Sequence, residues 1–493
     1  MAIGTLRGYL HRRVALPSRL AEMIRAIRSR WSAEGGYREF LLIAVPLILS
    51  TASWSVQHFV DRVFLTWHST EALTAALPGG LTNFVLVSLF IGIVSYINTF
   101  VAQYIGAGHP EKVGPSLWQG AYLAVFSAGI GLVAATWANA IFDLVGHDES
   151  IRHFEADYFR ILCYGIFPIV LSTSFACFFS GRGHTWSVFW VNVSATGFNI
   201  VLDYGLIFGA GGLPAMGIRG AAWATNIASA LGAGLYLVLL ARPRYRREFA
   251  TYRGWRFDPD LFRRLLHFGG PSGINFMLDI LAFTSVVLIV GRLGTMELTA
   301  ANLAFNINSL AFMPLIGASI AVSTMVGQRL GRDDTAGAEY STWTGFHIGL
   351  TYMVGMALAY AVVPQIFLLP YSASASGPEF EAARELAMDL LRFVAFYCVF
   401  DAAYMMFTAA LKGAGDTNYI MWVSVLISFS VAVIPSYIAV TWFDTTAYVL
   451  FAFITLWLVV AAIVFYLRFL SGHWKSMRVI EQQPVMAANE AAS

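Results

Sequence analysis

The chain contains 493 residues, of which 58% are hydrophobic and only 12% are charged. Soluble domains average about 25% charged residues, so this composition excludes disordered chains, disulfide scaffolds and nearly every soluble enzyme. The 31 basic and 29 acidic residues almost cancel, so no overall charge points to a nucleic-acid partner.

Residues 1–37 come first and carry several arginines without a long apolar run. A cleavable signal peptide needs such an apolar core, so this segment is not predicted to be one. Its charge instead predicts a basic arm that lies near an anionic membrane leaflet.

Twelve apolar runs bounded by polar breaks follow, and each is long enough for the roughly 20 residues that a membrane helix needs. The predicted spans are 40–67, 79–108, 117–145, 155–180, 186–209 and 219–241, then 265–293, 297–328, 340–368, 384–411, 418–443 and 447–470. The sequence therefore predicts an all-α polytopic membrane protein, with six-helix bundles at 38–241 and 265–470. An arginine-rich linker at 242–264 joins the bundles, and a tail at 471–493 is predicted to be disordered.

The distribution of basic residues predicts the orientation in the membrane, because loops rich in Lys and Arg stay on the cytoplasmic side. Eight arginines lie in the linker 242–264, and eight more lie in residues 1–38. With both termini inside, only Arg152, Arg219, Arg292 and Arg384 fall in loops on the other side. We therefore expect a multi-pass protein of the inner or plasma membrane, with a cytoplasmic arm, linker and tail.

The two predicted bundles share short sequence segments. LTAA at 73–76 recurs at 298–301, and VAQ at 101–103 recurs as VGQ at 326–328, in both cases 225 residues later. GRGHT at 181–185 corresponds to GAGDT at 413–417. Because six is an even number of spans, both halves enter the membrane in the same sense. This pattern predicts a parallel pseudo-two-fold repeat around a central cleft, which suits alternating access.

Four aspartates fall inside predicted spans, namely Asp61, Asp203, Asp279 and Asp401. An ionised carboxylate at the bilayer centre costs about 2.5–3.5 kcal/mol, so four of them indicate a function. Burial disfavours the charged form of a carboxyl group, and such a group can therefore hold a proton or a cation. This chemistry predicts a carrier coupled to H⁺ or Na⁺, with no metal site beyond a possible Na⁺.

Polar side chains accompany these aspartates at helical spacing or form a separate stripe in span 8. They are His58, Asn199, Asn275, Tyr397, Tyr404, Asn302 and Asn306. Buried amides also join helices without any role in transport, and a histidine often serves packing alone. Both interpretations stay open for the asparagines of span 8 and for His58.

Several segments resemble the multidrug and toxic compound extrusion (MATE) family. They are VPL at 45–47 followed by Asp61, VAQ at 101–103, and GAGDT at 413–417. The resemblance covers about residues 38–470. It implies a V-shaped pair of six-helix bundles and an antiporter that exports amphipathic, cationic compounds in exchange for H⁺ or Na⁺. We expect a monomer without a cofactor, whose partners are its cargo and the surrounding lipid.

The resemblance also assigns roles to six residues, which are Asp61, Asn199, Asp203 and Thr225 in the N-terminal bundle and Asp279 and Asp401 in the C-terminal bundle. Asp61 matches the coupling aspartate of span 1, and the next three match its companions in spans 5 and 6. The other two match acidic positions of spans 7 and 10 in NorM-type members. The span 7 acid is commonly Glu in that branch, and many of its members carry an amide in place of Asp203. Carboxylates therefore occur in both bundles, and the choice between H⁺ and Na⁺ stays open.

Two other classes share some of these features. A flippase for a lipid-linked cell-envelope precursor has a similar two-bundle architecture, but its cleft is often strongly basic. Here only Arg62, Arg160 and Arg392 approach the interiors of spans. An intramembrane aspartyl protease would need Asp401 and Asp416 to share a proton, yet Asp416 lies at a span end. The excess of acidic groups favours a carrier of cationic cargo over a flippase or an enzyme.

Overall fold

A computed structural model describes residues 28–145, 149–372, 378–443 and 445–481. Over these ranges the chain is almost entirely helical. By length and composition, eleven of the helices can cross a membrane, and a pair of helices bent by 44° can serve as a twelfth span. The predicted all-α fold with twelve membrane helices is confirmed.

We number the membrane helices α1 to α12 in chain order. The first six are α1 (Tyr37–His68), α2 (Thr70–Ser95 continued by Ile97–Gly106), α3 (Val113–Thr136), α4 (Glu149–Tyr164 continued by Ile166–Gly181), α5 (Thr185–Phe208) and α6 (Ile218–Leu240). The second six are α7 (Pro259–Gly291), α8 (Thr295–Gly331), α9 (Thr335–Val362), α10 (Pro378–Ala414), α11 (Thr417–Ile427 continued by Ser428–Val433 and Ile434–Trp442) and α12 (Ala447–Leu470). Shorter helices occupy Ala138–Val145, Pro243–Glu248 and Pro364–Ser372.

Some predicted spans differ from the observed helices at their ends. Predicted span 9 reaches residue 368, whereas α9 ends at Val362 and Pro364 begins a separate short helix. Proline explains this break, because it has no amide hydrogen with which to continue a helix. Predicted span 7 begins at 265, whereas α7 begins at Pro259 after Asp258, whose side chain accepts hydrogen bonds from the first turn. An aspartate cap followed by proline is a favoured helix start.

The bend in α4 lies at Gly165, where a side chain from α6 enters the helix. The Asn226 amide nitrogen donates to the Ile161 carbonyl at 2.5 Å. A Cβ atom on Gly165 would lie 1.9 Å from Asn226 Oδ1. The bend therefore has an identifiable cause, which is an inserted polar side chain opposite a residue without a Cβ atom.

We expect Gly165→Ala to destabilise the protein by about 1–3 kcal/mol, the usual cost of forcing an extra methyl group into a packed core. A lower thermal unfolding midpoint in detergent, followed by size-exclusion chromatography, would report this loss. Gly234→Ala is the matched control, because a Cβ atom there meets nothing within 4 Å. Equal midpoints for the two variants would contradict the role given to Asn226.

The helices form two lobes, which we call the N-lobe (α1–α6) and the C-lobe (α7–α12). Between the lobes, α1 packs against α8 and α2 packs against α7. If each N-lobe helix is matched with the C-lobe helix six places later, α1 corresponds to α7 and α2 to α8. The α1–α8 contact is then the equivalent of the α7–α2 contact. The packing therefore agrees with the predicted pseudo-two-fold relation between the halves.

Two glutamines join the lobes at the end of the molecule where residues 28 and 481 lie, which we call the terminal end. Gln103 at the end of α2 donates to the Gly413 carbonyl of the C-lobe at 3.0 Å. Gln328 near the end of α8 donates to the Gly181 carbonyl of the N-lobe at 2.8 Å. Both the donors and the acceptors are equivalent positions of the sequence repeat, so the terminal end is closed by a symmetric pair of hydrogen bonds.

The segment after α12 crosses this closed end, which corrects the prediction of a disordered tail for residues 471–481. Trp474 is fully buried, and the Val479 amide donates to Gln103 Oε1 at 2.9 Å. Glu481 pairs with Arg264 at 2.7 Å and with Lys112 at 3.3 Å. Aromatic burial and ion pairs thus hold a polar segment that its composition alone marks as disordered. Residues 482–493, and residues 1–27 of the predicted basic arm, lie outside the described residues.

Candidate functional site

In the N-lobe, the structure brings together two of the predicted aspartates. The carboxyl groups of Asp61 on α1 and Asp203 on α5 lie within hydrogen-bonding distance of each other. With its amide nitrogen turned toward them, Asn199 donates to one oxygen of each carboxyl group at 3.2 Å. Asn199 and Asp203 are fully buried, whereas Asp61 is partly exposed. We call these three residues the acid pair site.

Three further side chains surround the acid pair site. Gln57 lies one helical turn before Asp61, and its side chain is 3.3 Å from the Asn199 amide. His58 on α1 lies within electrostatic reach of Asp61, and Tyr158 on α4 lies within reach of both aspartates. His58 is exposed, so it adjoins the site without being packed inside the lobe.

Thr225 does not join this cluster through hydrogen bonds. Its backbone carbonyl accepts a hydrogen bond from Ser229 within α6, and no hydrogen bond among the described residues connects its side chain with Asp61 or Asp203. The role that the resemblance implies for Thr225 therefore stays a prediction.

In the C-lobe, Asp279 belongs to a line of three polar side chains. Asn275, one turn earlier on α7, donates to Asp279 Oδ2 at 3.0 Å. The ammonium group of Lys412 on α10 donates to Asn275 Oδ1 at 3.2 Å. Asn275 is buried, so its amide connects a cation and a carboxylate inside the protein.

The other C-lobe aspartate, Asp401, is buried beside two tyrosines. Tyr397 is buried one turn away on α10 and interacts electrostatically with Asp401. Tyr404, one turn after Asp401 on α10, lies within electrostatic reach of both Asp279 and Asp401. Tyr404 therefore lies between the two acidic groups of this lobe.

The asparagine stripe predicted in span 8 lies on an exposed face of α8. Asn302 and Asn306 are both exposed, and the Asn306 amide donates to the Asn302 carbonyl of its own helix at 2.8 Å. This amide is satisfied locally, so it does not join α8 to a neighbouring helix. A role for the stripe in the cleft stays a prediction.

The arginines that approach span interiors do not form a basic cleft. Arg160 pairs with Asp157 at 2.8 Å, and Arg392 pairs with Asp389 at 2.7 Å. Arg62 is exposed on α1. Two of the three cations are therefore paired with acids one turn away on their own helices.

The aspartate of the GAGDT segment has a structural partner. Asp416 is nearly buried and pairs with Arg468 of α12 at 2.7 Å. A carboxylate held in such an ion pair is satisfied. The pairing supports the interpretation of this segment as a turn between α10 and α11, and not as part of a protease site.

The acid pair site has a definite chemical capacity. Two carboxylates in contact repel each other strongly, so the pair either shares a proton, which leaves one negative charge, or binds a cation. The site can therefore take up and release one positive charge. In the C-lobe, Asp279 has the internal cation Lys412 as a neighbour, whereas Asp401 accepts no hydrogen bond among the described residues.

Three residues of these regions were not predicted from the sequence. Gln57 could have been found, because it shares a helical face with Asp61. Lys412 follows the predicted end of span 10 at residue 411, but α10 extends through it to Ala414 and turns its side chain toward α7. Tyr158 lies on α4, which begins six residues before its predicted start. No spacing rule links α4 to α1 or α5, so Tyr158 gave no signal in the sequence.

Comparison with known proteins connects this architecture to transporters. The MatE family model matches residues 46–205 and 271–438, one segment in each lobe. A relative from Synechocystis sp., named as a probable multidrug resistance protein NorM, is 24% identical over 419 residues. This match covers 84% of the chain and 89% of the relative.

Solved structures share the same fold. A crystal structure of MATE in complex with MaL6 matches with a TM-score of 0.82 and 18% identity. An outward-facing conformation of a multidrug resistance MATE family transporter matches with a TM-score of 0.81 and 18% identity. Each match covers 91% of this chain and 98% of the solved chain. The arrangement of the helices in two lobes therefore belongs to a known architecture.

Proposed function

This chain belongs to the MatE family of multidrug and toxic compound extrusion (MATE) transporters, and from that premise we propose that it is a secondary active antiporter. It exports amphipathic, cationic compounds in exchange for H⁺ or Na⁺ by alternating access. Members of the family are transporters and not enzymes, they need no cofactor, and the chain is an integral protein of the plasma membrane. We propose that it acts as a monomer surrounded by lipid.

The contact between Asp61 and Asp203 carries this proposal. The two carboxyl groups need one bound positive charge to remain together. Binding or release of that charge changes the free energy of conformations in which the two carboxyl groups are in contact, relative to conformations in which they are apart. A cation gradient across the membrane can therefore bias the exchange between two arrangements of the lobes.

The closed terminal end supports an outward-facing state in this proposal. Arginines concentrate in the linker and the N-terminal arm, so the positive-inside rule places the terminal end in the cytoplasm. Gln103 and Gln328 close that side. The partly exposed Asp61 and the exposed His58 lie in the other half of α1, where the coupling cation enters from outside.

The C-lobe acids supply the charge for a cationic cargo in this proposal. Asp279 and Asp401 both lie near Tyr404, and an aromatic face adjoining acidic groups suits an amphipathic cation. Binding of H⁺ or Na⁺ and of cargo would then be linked, with each weakening the other by the same factor.

Everted membrane vesicles loaded with the protein would test the function directly. A fluorescent lipophilic cation is added outside vesicles whose lumen is more acidic than the medium, and in a separate experiment it is added outside vesicles whose lumen is loaded with sodium. We expect the dye to accumulate inside under one of the two gradients. Accumulation driven by the pH gradient would assign H⁺ as the coupling ion, and accumulation driven only by sodium would assign Na⁺.

Absence of dye movement under both gradients, with folded protein present, would overturn the antiporter proposal. The alternative would then be a flippase for a lipid-linked cell-envelope precursor, tested with the same vesicles and a fluorescent pyrophosphate lipid. The pairing of Arg160 and Arg392 with aspartates disfavours that alternative, because a pyrophosphate cargo needs unpaired cations.

A further inference from the structure

We propose that Lys412 is an internal counter-ion of Asp279. When the terminal end closes, Lys412 takes the place of a cationic cargo beside Asp279. Lys412 thereby expels the cargo toward the outside. This inference rests on the proposed export function and names the residue that determines its direction. The sequence repeat does not assign this role. In the N-lobe, the position equivalent to Lys412 is Ser180, which carries no charge.

The first observation is the continuous polar connection between the two charges. Lys412 donates to Asn275, and Asn275 donates to Asp279, at 3.2 Å and 3.0 Å. A side-chain amide offers an acceptor and a donor at once, so it can link an ammonium group to a carboxylate. Among the described residues, Lys412 is the charged side chain whose field acts on Asp279.

The second observation is the low exposure of this connection. Asn275 is 1% exposed, and Asp279 and Lys412 are each partly buried. Opposite charges attract more strongly away from water, and like charges repel more strongly. A cationic cargo beside Asp279 and the Lys412 ammonium therefore compete for one carboxylate.

The third observation ties Lys412 to the closure of the terminal end. The Tyr96 hydroxyl donates to the backbone carbonyl of Lys412 at 3.0 Å. Gln103 donates to the next carbonyl, that of Gly413, at 3.0 Å. Both donors belong to the N-lobe, and both acceptors belong to the last turn of α10. Separation of the lobes at this end must break these bonds and release the turn that carries Lys412.

From these contacts we infer that Lys412 and the cationic cargo replace each other beside the Asp279 carboxylate. When the terminal end is open, Lys412 is free to leave Asn275, and Asp279 attracts a cationic cargo from the cytoplasm. When the lobes close, Tyr96 and Gln103 return Lys412 to its place, and the cargo loses its counter-charge. The cargo then leaves through the opposite side.

Equilibrium binding of radiolabelled tetraphenylphosphonium to purified full-length protein in detergent would test this role. Lys412→Gln removes the competing charge, so we expect about tenfold tighter binding than in the wild type, since a nearby like charge in a partly buried site costs at least about 1.4 kcal/mol. Lys412→Arg keeps the charge and is expected to bind within about twofold of the wild type. Uncharged triphenylphosphine oxide is expected to bind all three proteins alike, because it does not compete with a cation.

The same measurement in an Asp279→Asn background distinguishes a charge effect from a structural one. There, Lys412→Gln is expected to change tetraphenylphosphonium binding by less than about twofold, because the coupled partner is absent. Lys412→Met, which keeps the length of the side chain, replaces Lys412→Gln if the latter elutes as an aggregate.

Each remaining outcome overturns a defined part of these proposals. Wild-type protein that binds tetraphenylphosphonium with the same affinity as Lys412→Gln overturns the counter-ion role alone. A Lys412→Gln effect that persists in Asp279→Asn also overturns it, since the lysine would then act through packing. Wild-type protein that neither binds the cation nor moves it in vesicles overturns this role and the proposed function together.

Discussion

Asp61→Asn is expected to lower the initial rate of cation-driven export by at least about tenfold, because a hydrogen bond to a charged group contributes about 1.5–3 kcal/mol and 1.4 kcal/mol is a factor of ten. An amide cannot take up or release a proton, and it is a neutral ligand for Na⁺. The substituted side chain would still fit between Asn199 and Asp203. The loss therefore concerns coupling and not folding.

Dye accumulation in everted vesicles measures this rate under a pH gradient and under a sodium gradient. Asp389→Asn is the matched control, because it makes the same change on a membrane helix at the Arg392 ion pair, away from both candidate sites. We expect that control to export at the wild-type rate. Export by Asp61→Asn that equals the control under either gradient would remove the acid pair site from the coupling mechanism.

Gly106→Ala is expected to prevent complete closure of the terminal end. A Cβ atom on Gly106 would lie 2.0 Å from the Gln328 carbonyl oxygen, and the equivalent atom on Gly331 would lie 2.2 Å from the Gln103 carbonyl oxygen. The helix ends of the two lobes therefore touch through glycines on both sides of the pseudo-two-fold axis. An added methyl group must push the lobes apart or displace backbone.

Overpacking of this kind costs about 1–3 kcal/mol, which changes the ratio of closed to open protein by about 5–150-fold. A single reporter cysteine at Thr324 would detect the change, since Thr324 is fully buried and bonded to Asn98 across the lobes. The native cysteines Cys163, Cys177 and Cys398 would first be replaced by alanine. We expect a membrane-impermeant maleimide to react several-fold faster in everted vesicles that carry Gly106→Ala.

Gly355→Ala serves as the control for this experiment, because a Cβ atom there meets nothing within 4 Å. Its reporter cysteine is expected to react as slowly as in the cysteine-replaced parent. If Gly106→Ala also reacted slowly and exported at the parental rate, the close approach of the lobes would not control access from the cytoplasm.

Most of the membrane topology was accessible from the amino-acid sequence. The observed helix α12, Ala447–Leu470, has the same bounds as the predicted span. Helices α5 and α6 each begin and end one residue earlier than predicted. These elements are bounded by polar breaks, and the cost of placing polar groups in lipid acts on each segment separately. The errors arose where a local feature interrupts an apolar run, as Pro364 does after α9.

The candidate site was predictable in its members but not in its contacts. Asp61 and Asp203 stood out because a charge inside an apolar span is costly wherever the span packs. Their contact joins α1 to α5, and no spacing rule relates side chains on different helices. Tyr158 remained hidden for the same reason, since its place beside the acids depends on the path of α4.

The amino-acid sequence was thus enough to predict the membrane class, the twelve spans, the two-fold repeat and the four aspartates within the spans, because hydrophobicity and the cost of a buried charge are local properties. Contacts between helices became known only from the folded structure, in which Asp61 meets Asp203, Lys412 turns inward toward Asn275, and Gln103 and Gln328 close one end. These outcomes depend on how each helix is rotated and where it ends against its neighbours. Rotation and contact are set by packing across the whole molecule, which no single segment encodes.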